Sequence, residues 1–331
     1  MRFTDRLGDP VMLTRLNKSL EKLMPVLTPA AVVTGLVFSV WLHDLRFLVT
    51  WIFAGMTFAG SLGANFADLK KIAQHPQPII INLIILHLIM PLVGWLTAKL
   101  VFPGDLLTET GFILLFAIPT GVVSLVWVTI YKGNVALTLA LILLDTIISP
   151  FVVPYTVSLF VGAQVSLDTW GMMKGLLWMV VIPSILGMTL NQATKGRVKT
   201  VWGPKLSPFS KLGLFVVVAI NASVVAPYIK SAGSSLIALV AASFVAVSFG
   251  YALGWAATWL LKWNHGDTVA LTFNSGMRNL SAGAVLAITF FPPPVVLPVI
   301  SGMLFQQILA SLFGFALGRT ETKRAADAPA V

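Results

Sequence analysis

The chain has 331 residues, of which 57% are hydrophobic and only 10% are charged, and its mean hydropathy is +0.91. Apolar runs recur along its whole length, and no soluble domain has enough interior to bury so much apolar surface. The composition therefore excludes a soluble protein and predicts an all-α membrane protein. The absence of cysteine excludes a disulfide framework and thiolate chemistry.

The N-terminal segment 1–22 carries five basic residues but lacks the short apolar core and small-residue site of a cleavable signal peptide, so we expect it to be retained. Between Met12 and Leu23 apolar residues recur at helical spacing, with basic residues on the opposite face. This pattern predicts either a helix lying on the anionic cytoplasmic leaflet or a cytosolic extension of the first span, and both alternatives stay open.

Residues 23–318 contain ten apolar runs, each long enough for the roughly 20 residues that cross a bilayer. Their approximate limits are 23–42, 46–65, 77–101, 106–130, 134–161, 169–191, 209–229, 234–261, 267–290 and 293–318. The remaining residues, 319–331, are polar and alanine-rich, which predicts a disordered cytoplasmic tail.

The basic residues support ten spans with both termini in the cytoplasm. On this topology 17 Lys and Arg residues lie in cytoplasmic segments and 4 lie outside, and Arg278 completes the total of 22. This bias is the one that the positive-inside rule predicts. The formal net charge of +10 is therefore a topology signal and gives no reason to expect a nucleic-acid partner. We expect a multi-pass protein of the cytoplasmic membrane.

The ten spans divide into two halves, about 23–162 and 168–318, and the halves share a short motif. Pro119–Ser124 in the fourth span and Asn274–Asn279 in the ninth each place a polar side chain three residues after a glycine. With five spans in each half, the second half must enter the membrane with inverted orientation, an arrangement found in many secondary transporters. The sequence thus predicts two inverted five-helix repeats.

The two motifs combine helix breakers with polar residues at the depth of the membrane centre. A broken helix exposes N–H groups that attract an anion and carbonyl groups that attract a cation. Arg278 is costly there, by roughly 2.5 to 3.5 kcal/mol, and is tolerated where it faces a partner or a water-filled cavity. We therefore expect a solute or ion site that includes Thr120, Ser124, Asn274, Ser275, Arg278 and Asn279.

Three polar residues of other spans join this candidate site. Asp145 is the only carboxylate deep within a span, and it either neutralises Arg278 at the site or forms a purely structural ion pair with it. His87 suits a proton carrier, although a histidine in an apolar helix is more often bonded to a neighbouring carbonyl. Thr138 lies two turns before Asp145 on the same face and either caps backbone or contacts solute.

At these positions the chain resembles the bile acid:sodium symporters. The similar stretches are Ile130-Tyr-Lys-Gly-Asn-Val-Ala-Leu-Thr138 with the downstream Ser149-Pro150, His87-Leu-Ile-Met-Pro91, and Gly276-Met-Arg-Asn279, where the family normally has Glu-x-Gly-Met-Gln-Asn. The resemblance implies ten helices in a core domain and a panel domain, with the broken fourth and ninth helices crossing. It also implies alternating-access uptake of organic anions driven by two sodium ions.

The chain departs from the family at both implied sodium sites. The first maps onto Ser124, Leu125, Thr138, Ile142 and Asn274, and the second maps onto His87, Asn274, Ser275, Met277 and Arg278. Apolar residues replace an asparagine and a threonine, Asn274 replaces the shared glutamate, and histidine and arginine each replace a glutamine. Arginine has no acceptor for a cation that prefers oxygen ligands.

We therefore hypothesise that the guanidinium of Arg278 is a built-in substitute for a sodium ion and that Asp145 supplies the missing negative charge. Transport would then be sodium-independent, either proton-coupled or an uncoupled exchange. The competing hypothesis keeps one altered sodium site, with Ser124, Thr138, Asp145 and Asn274 as possible residual ligands. No cofactor other than sodium or a proton as coupling ion is expected.

The positive charge at the breaks favours a small, carboxylate-bearing organic solute, although neutralisation of Arg278 would admit a neutral or zwitterionic one. The oligomeric state stays open, and a monomer is compatible with the sequence. An enzyme would need a nucleophile or metal cluster, a channel would need polar stripes along several spans, and a receptor would usually add a signalling domain. None of these patterns occurs in the sequence.

Overall fold

A computed structural model of the protein describes residues 10–66, 76–162, 168–231 and 235–326. Within these ranges the chain is almost entirely helical, and its one β-type interaction is a bridge between two single residues. The α-helices are α1 (Pro10–Val37), α2 (Ser39–Leu42), α3 (Phe47–Ser61), α4 (Pro76–Ile84), α5 (Met90–Val101), α6 (Leu106–Ala117), α7 (Ser124–Ile130), α8 (Val135–Val161), α9 (Thr169–Leu176), α10 (Ile182–Ala193), α11 (Arg197–Ser231), α12 (Ser235–Leu260), α13 (His265–Gly276), α14 (Leu280–Phe290) and α15 (Val296–Ala326).

Side chains at the predicted loops determine where several of these helices begin. An Asp or Asn oxygen accepts a hydrogen bond from a free backbone N–H of the first turn, which is the usual capping interaction. These caps are Asp105, Asn134, Asp168, Asn264 and Asn279. The last of them begins a helix in the middle of a predicted span.

Two long apolar helices contain a wider π-helical turn just before a proline. Ile85–Ile89 joins α4 to α5 ahead of Pro91, and Leu177–Val181 joins α9 to α10 ahead of Pro183. A proline has no N–H to continue the ladder and its ring crowds the preceding turn, so the extra residue of a π-turn relieves the conflict. The first of these turns contains His87.

Among the described residues, six helical segments are long and apolar enough to cross a membrane, or seven if one bent pair is a single span. The six are Pro76–Val101, Val135–Val161, Thr169–Ala193, Arg197–Val224, Ser235–Leu260 and Pro293–Thr320. Each overlaps a predicted span, and together they make this a multi-pass membrane protein.

The predicted fourth and ninth spans are each divided into two shorter helices. The fourth consists of α6 and α7, and the ninth consists of α13 and α14. The interruptions fall on the Pro119–Ser124 and Asn274–Asn279 motifs, as predicted. The first two predicted spans correspond instead to helical segments bent by 90° at Phe38, namely Val26–Val37 and Ser39–Ser61.

The first and the last described helix both extend beyond the predicted spans. The helix α1 runs without interruption from Pro10, so the basic segment before the first predicted span continues into that span. The prediction of a disordered tail from residue 319 is wrong as far as Ala326, because α15 extends to that residue. Alanine, arginine, glutamate and lysine favour helix, and a helix that has already formed grows at little cost. Residues 1–9 and 327–331 lie outside the described ranges.

The long helices enclose the two broken ones. The helix α13 packs along α12, and α6 packs on α5, α8 and α15. At their starts, α8 and α13 are joined by a hydrogen bond of 2.7 Å from the amide of Asn134 to the carboxylate of Asp267. This packing holds the two interruptions against each other.

Candidate functional site

The site is built where the two interruptions meet. Thr120 and Arg278 form an isolated antiparallel bridge between the two extended segments. The N–H of Gly121 donates to the carbonyl oxygen of Met277 at 3.1 Å, and the N–H of Asn279 donates to that of Pro119 at 2.8 Å. Each broken span therefore satisfies some of the backbone groups that the other leaves free, which a membrane interior demands.

The glycine of each motif permits a close approach to a neighbouring segment. A Cβ atom on Gly121 would lie 2.8 Å from the carbonyl oxygen of Arg278, and one on Gly276 would lie 2.3 Å from the ring of Tyr251. Both distances are shorter than van der Waals contact allows. The glycine in each motif therefore has a packing role, besides weakening the helix as the sequence predicted.

Asp145 links three segments of the chain. Its Oδ1 lies 2.7 Å from Nε2 of His87, and its Oδ2 accepts the backbone N–H of Thr120 at 2.6 Å. The carboxylate is fully buried and His87 is largely buried. The π-turn of α4–α5, the helix α8 and the first interruption are thus held together by one carboxylate.

The hydroxyl of Thr120 joins the two interruptions from the other side. Its Oγ1 lies 3.0 Å from the carbonyl oxygen of Asn274 and 3.1 Å from that of Met277. The carbonyl of Asn274 belongs to the last turn of α13, where the helical ladder leaves acceptors free, and that of Met277 directly follows the helix. Thr120 therefore acts as a fixed link within the site through both its backbone and its side chain.

Asn274 lies between the two hydroxyls at which the resemblance places sodium ligands. Its Oδ1 accepts from Ser124 at 3.2 Å, and its Nδ2 donates to Thr138 at 3.2 Å and to the carbonyl of Ala270 at 2.7 Å. All three side chains are fully buried. One amide thus occupies both hydroxyls with direct hydrogen bonds.

Arg278 is held by a hydrogen bond of its backbone, while its side chain forms none within the described residues. The backbone N–H donates to Oε1 of Gln306 at 2.8 Å, and the backbone carbonyl of Gln306 accepts from the hydroxyl of Tyr251 at 2.8 Å. The guanidinium is buried, with Arg278 only 3% exposed, and none of its three nitrogens has a hydrogen-bond partner among the described residues. The carboxylate of Asp145 is hydrogen-bonded to His87 and Thr120 and forms no hydrogen bond with the guanidinium, although the two opposite charges interact through space.

The last two predicted residues, Ser275 and Asn279, are also hydrogen-bonded. Ser275 donates to Oδ1 of Asn82 at 3.3 Å, and Asn279 accepts from the N–H of Ala282 at 3.3 Å as the cap of α14. All nine candidate residues therefore lie at or beside the paired interruptions. Asn279 is seen in a capping role, and contact with a solute stays a prediction.

The site also contains Asn82 and Gln306, which the sequence motifs do not predict. Both are buried polar residues inside apolar runs, which is the signal that identified Asp145 and Thr138. Gln306 has a polar neighbour, Gln307, whose Oε1 accepts from the indole of Trp127 at 2.9 Å. Neither amide carries a charge, so burying it in the membrane costs less free energy than burying a charged group. A neutral amide in an apolar run is therefore a weaker indication of a functional residue.

Among the described residues there is no group of three or more His, Cys, Asp or Glu side chains that could hold a metal ion.

The geometry is that of a buried polar centre within a multi-pass helical bundle, where two broken helices meet. This arrangement defines the class of membrane transporters with broken helices.

Comparison with known proteins identifies the family. The model of the sodium bile acid symporter family matches residues 50–232. The uncharacterized protein YbaS of Bacillus subtilis (strain 168) is 51% identical over 300 residues, which cover 91% of this chain and 98% of YbaS. The chain therefore belongs to the sodium bile acid symporter family, and the resemblance noted in the sequence is confirmed.

More distant relatives carry transporter names. The uncharacterized sodium-dependent transporter YocS of Bacillus subtilis (strain 168) is 28% identical over 80% of this chain and 83% of its own length. The probable sodium/metabolite cotransporter BASS2, chloroplastic, of Oryza sativa subsp. japonica is 25% identical over 83% of this chain and 67% of its own. Because the family consists of transporters, this chain is a membrane transporter and not an enzyme.

Proposed function

We propose that this protein moves a small, carboxylate-bearing organic anion across the cytoplasmic membrane by alternating access, with the guanidinium of Arg278 in the place of a coupled sodium ion. One observation carries the proposal: the guanidinium is buried at the paired interruptions, and its three nitrogens have no partner among the described residues. A buried charge in that state is strongly unfavourable unless an anion joins it.

The chemistry of the site supports an anionic solute. A guanidinium offers five N–H donors in a fork that matches a carboxylate, and a charge-assisted pair of this kind is stronger than neutral hydrogen bonds. The amino end of α14, which begins directly after Asn279, adds partial positive charge at the same depth. The negative charge of Asp145 is already engaged with His87 and Thr120, which leaves the guanidinium available to a solute.

The residues at the implied sodium positions fit a sodium ion poorly. At the first site the Ser124 and Thr138 hydroxyls are both bonded to Asn274, and the neighbouring positions are the apolar Leu125 and Ile142. At the second site Arg278 brings a positive charge and no acceptor. The guanidinium would repel a sodium ion at this site, so no transport step in this proposal involves sodium.

The transport unit in this proposal has ten crossings in two inverted repeats, 23–162 and 168–318, with both termini cytoplasmic. The paired interruptions, one in each half, support it because each half contributes a broken helix to one central site. The bias of basic residues supports the orientation. Alternating access would then move the remaining helices about this fixed centre.

A second candidate is a sodium-coupled symporter that retains one altered site. Two observations favour it: relatives have names that include sodium, and Asp145 is a fully buried carboxylate beside Thr120. In this version the Ser124 and Thr138 hydroxyls would leave Asn274 and bind the ion. The two candidates differ in whether sodium binds at all.

Stabilisation of the purified protein by ligands tests the proposal. The melting temperature is measured with a panel of small mono- and dicarboxylates and with their uncharged amides, in sodium and in potassium buffers at two pH values. We expect at least one carboxylate to raise the melting temperature equally in both salts, and its amide to have no effect. If only amides or amines stabilise the protein, the anion proposal is wrong, and if stabilisation needs sodium, the second candidate replaces the first.

A further inference from the structure

A second buried polar group without a partner lies on α11, outside the nine residues of the site. Asn221 is fully buried, and neither its Oδ1 nor its Nδ2 has a hydrogen-bond partner among the described residues. An asparagine amide has two donors and an acceptor with two lone pairs. Leaving both atoms buried and unbonded is costly, so their position needs a physical reason.

The contacts of α11 show which side Asn221 faces. A Cβ atom on Gly35 would lie 2.1 Å from the carbonyl oxygen of Ala219 and 2.7 Å from the Cβ of Ala222, so this side of α11 packs on α1. A Cβ atom on Gly213 would lie 3.1 Å from the sulfur of Met56, so a second side packs on α3. With about 100° of rotation per residue, Asn221 points roughly 130° from the first side and roughly 80° from the second.

The exposed residues of α11 show that Asn221 does not face the outer surface either. Leu212 and Val216 are 43% and 38% exposed, and they lie roughly opposite Asn221 on the helix. The other neighbours of α11 include Ser39–Arg46, which continues from α1, the turn Pro293–Val295, and the helices α14, which Asn279 caps, and α15, which holds Gln306. Asn221 points away from α1, α3 and the outer surface, and we place it on the side of α11 that meets α14 and α15.

The depth of Asn221 agrees with this direction. A Cβ atom on Gly175, in the first third of the span Thr169–Ala193, would lie 3.1 Å from the ring of Phe290, so the beginning of that span and the end of α14 lie on one side of the membrane. The chain crosses through α9 and α10 and returns through α11, which places Ser231 on that side too. Asn221 precedes Ser231 by ten residues, or about 15 Å of helix.

Residue counts along α14 and α15 place the polar site at the same distance from this side of the membrane. Gln306 follows the start of α15 at Val296 by ten residues, and Asn279 precedes Phe290 by eleven, again about 15 Å in each case. The observed bond from the Arg278 backbone to Gln306 confirms that these two counts describe one level. By the same count of residues, Asn221 falls near this level on a third helix.

We infer that Asn221 is a specificity-determining residue that binds the transported solute, and that this solute carries a hydroxyl or similar group beside its carboxylate. A hydroxyl both donates and accepts, so it satisfies the amide oxygen and the amide nitrogen of Asn221, while the carboxylate pairs with Arg278 from the opposite side. The inference rests on the proposed transport of an organic anion. It adds that hydroxylated acids are preferred to their deoxy counterparts.

Paired acids and an isosteric variant test this assignment. Thermal stabilisation of the full-length protein is titrated with lactate and propionate, 2-hydroxyisovalerate and isovalerate, and malate and succinate, for the wild type and for Asn221→Leu. We expect at least one pair in which the wild type binds the hydroxy acid about three- to thirtyfold more tightly, as for the loss of one or two hydrogen bonds. In Asn221→Leu that preference falls to about one, while the deoxy acid binds as before.

Asn191→Leu is the matched control, because Asn191 is a buried asparagine whose amide nitrogen donates, at 2.9 Å, to the carbonyl of Ala64, while only its oxygen has no partner among the described residues. The loss of this hydrogen bond in Asn191→Leu lowers the melting temperature of the solute-free protein. It leaves the preference for hydroxy acids over deoxy acids unchanged. Asn221→Leu removes an unbonded amide and leaves the solute-free melting temperature unchanged or higher.

The outcomes distinguish the two levels of proposal. If the acids bind but Asn221→Leu keeps the wild-type hydroxyl preference, or if the wild type has none, this assignment of Asn221 is wrong and the anion proposal stands. If no acid of a broad carboxylate panel stabilises the wild type, the anion proposal fails and the assignment fails with it.

Discussion

Asp145→Asn tests whether one carboxylate holds the two interruptions together. The substitution keeps the shape of the side chain but removes its charge, so the bonds to Nε2 of His87 and to the N–H of Thr120 become neutral. A hydrogen bond to a charged group contributes roughly 1 kcal/mol more than a neutral one, and two such bonds give about 2 to 3 kcal/mol. We expect a melting temperature about 4 to 8 °C below the wild type.

Glu109→Gln is the control for burying a carboxylate in an apolar helix. Glu109 is nearly fully buried and lies 2.8 Å from Nζ of Lys99, but the lysine side chain is 44% exposed. Pairs open to solvent contribute about 0 to 1 kcal/mol, so this variant loses less than Asp145→Asn. Differential scanning fluorimetry in one detergent measures both variants. Equal melting temperatures for wild type and Asp145→Asn would refute the role that we assign to the carboxylate.

Two further substitutions test separate parts of the site. Arg278→Gln should reduce uptake of the stabilising carboxylate into proteoliposomes at least tenfold, and Arg278→Lys should restore part of it. The glutamine variant should not have a lower melting temperature than the wild type, because the substitution removes a buried charge that has no hydrogen-bond partner among the described residues. Full uptake by the glutamine variant would contradict this. Gly276→Ala places a methyl group 2.3 Å from the Tyr251 ring and should destabilise the protein by about 1 to 3 kcal/mol or more. Gly55→Ala, with no atom within 4 Å of the new methyl, should be neutral or stabilising in the same melting assay, and similar losses in both variants would argue against the contact with Tyr251.

Sequence patterns located the interruptions and the residues around them, because helix breakers and polar groups in an apolar span have a physical cost that few positions tolerate. The partners of those residues were less predictable. The helical period shows that Thr138 and Asp145 share a face, but it does not reveal which helix that face meets. The carboxylate of Asp145 therefore reaches His87 and Thr120, and the expected contact with Arg278 is absent.

Two other findings depend on packing between distant segments. The bond from the Arg278 backbone to Gln306 joins residues 28 positions apart, and the orientation of Asn221 follows only from the neighbours of α11. The extension of α15 to Ala326 has a local cause, because the residues of this segment are good helix formers. Their polarity alone had indicated disorder. Sequence composition predicts burial in the membrane better than it predicts contacts inside the protein.

Sodium dependence is the most direct test of the claim that Arg278 replaces a coupled ion. Uptake of a stabilising carboxylate is measured in proteoliposomes under an inward sodium gradient and under an equal potassium gradient, with the membrane potential clamped. The account predicts equal initial rates under the two gradients. A sodium-dependent increase of several-fold that saturates with sodium concentration would contradict it.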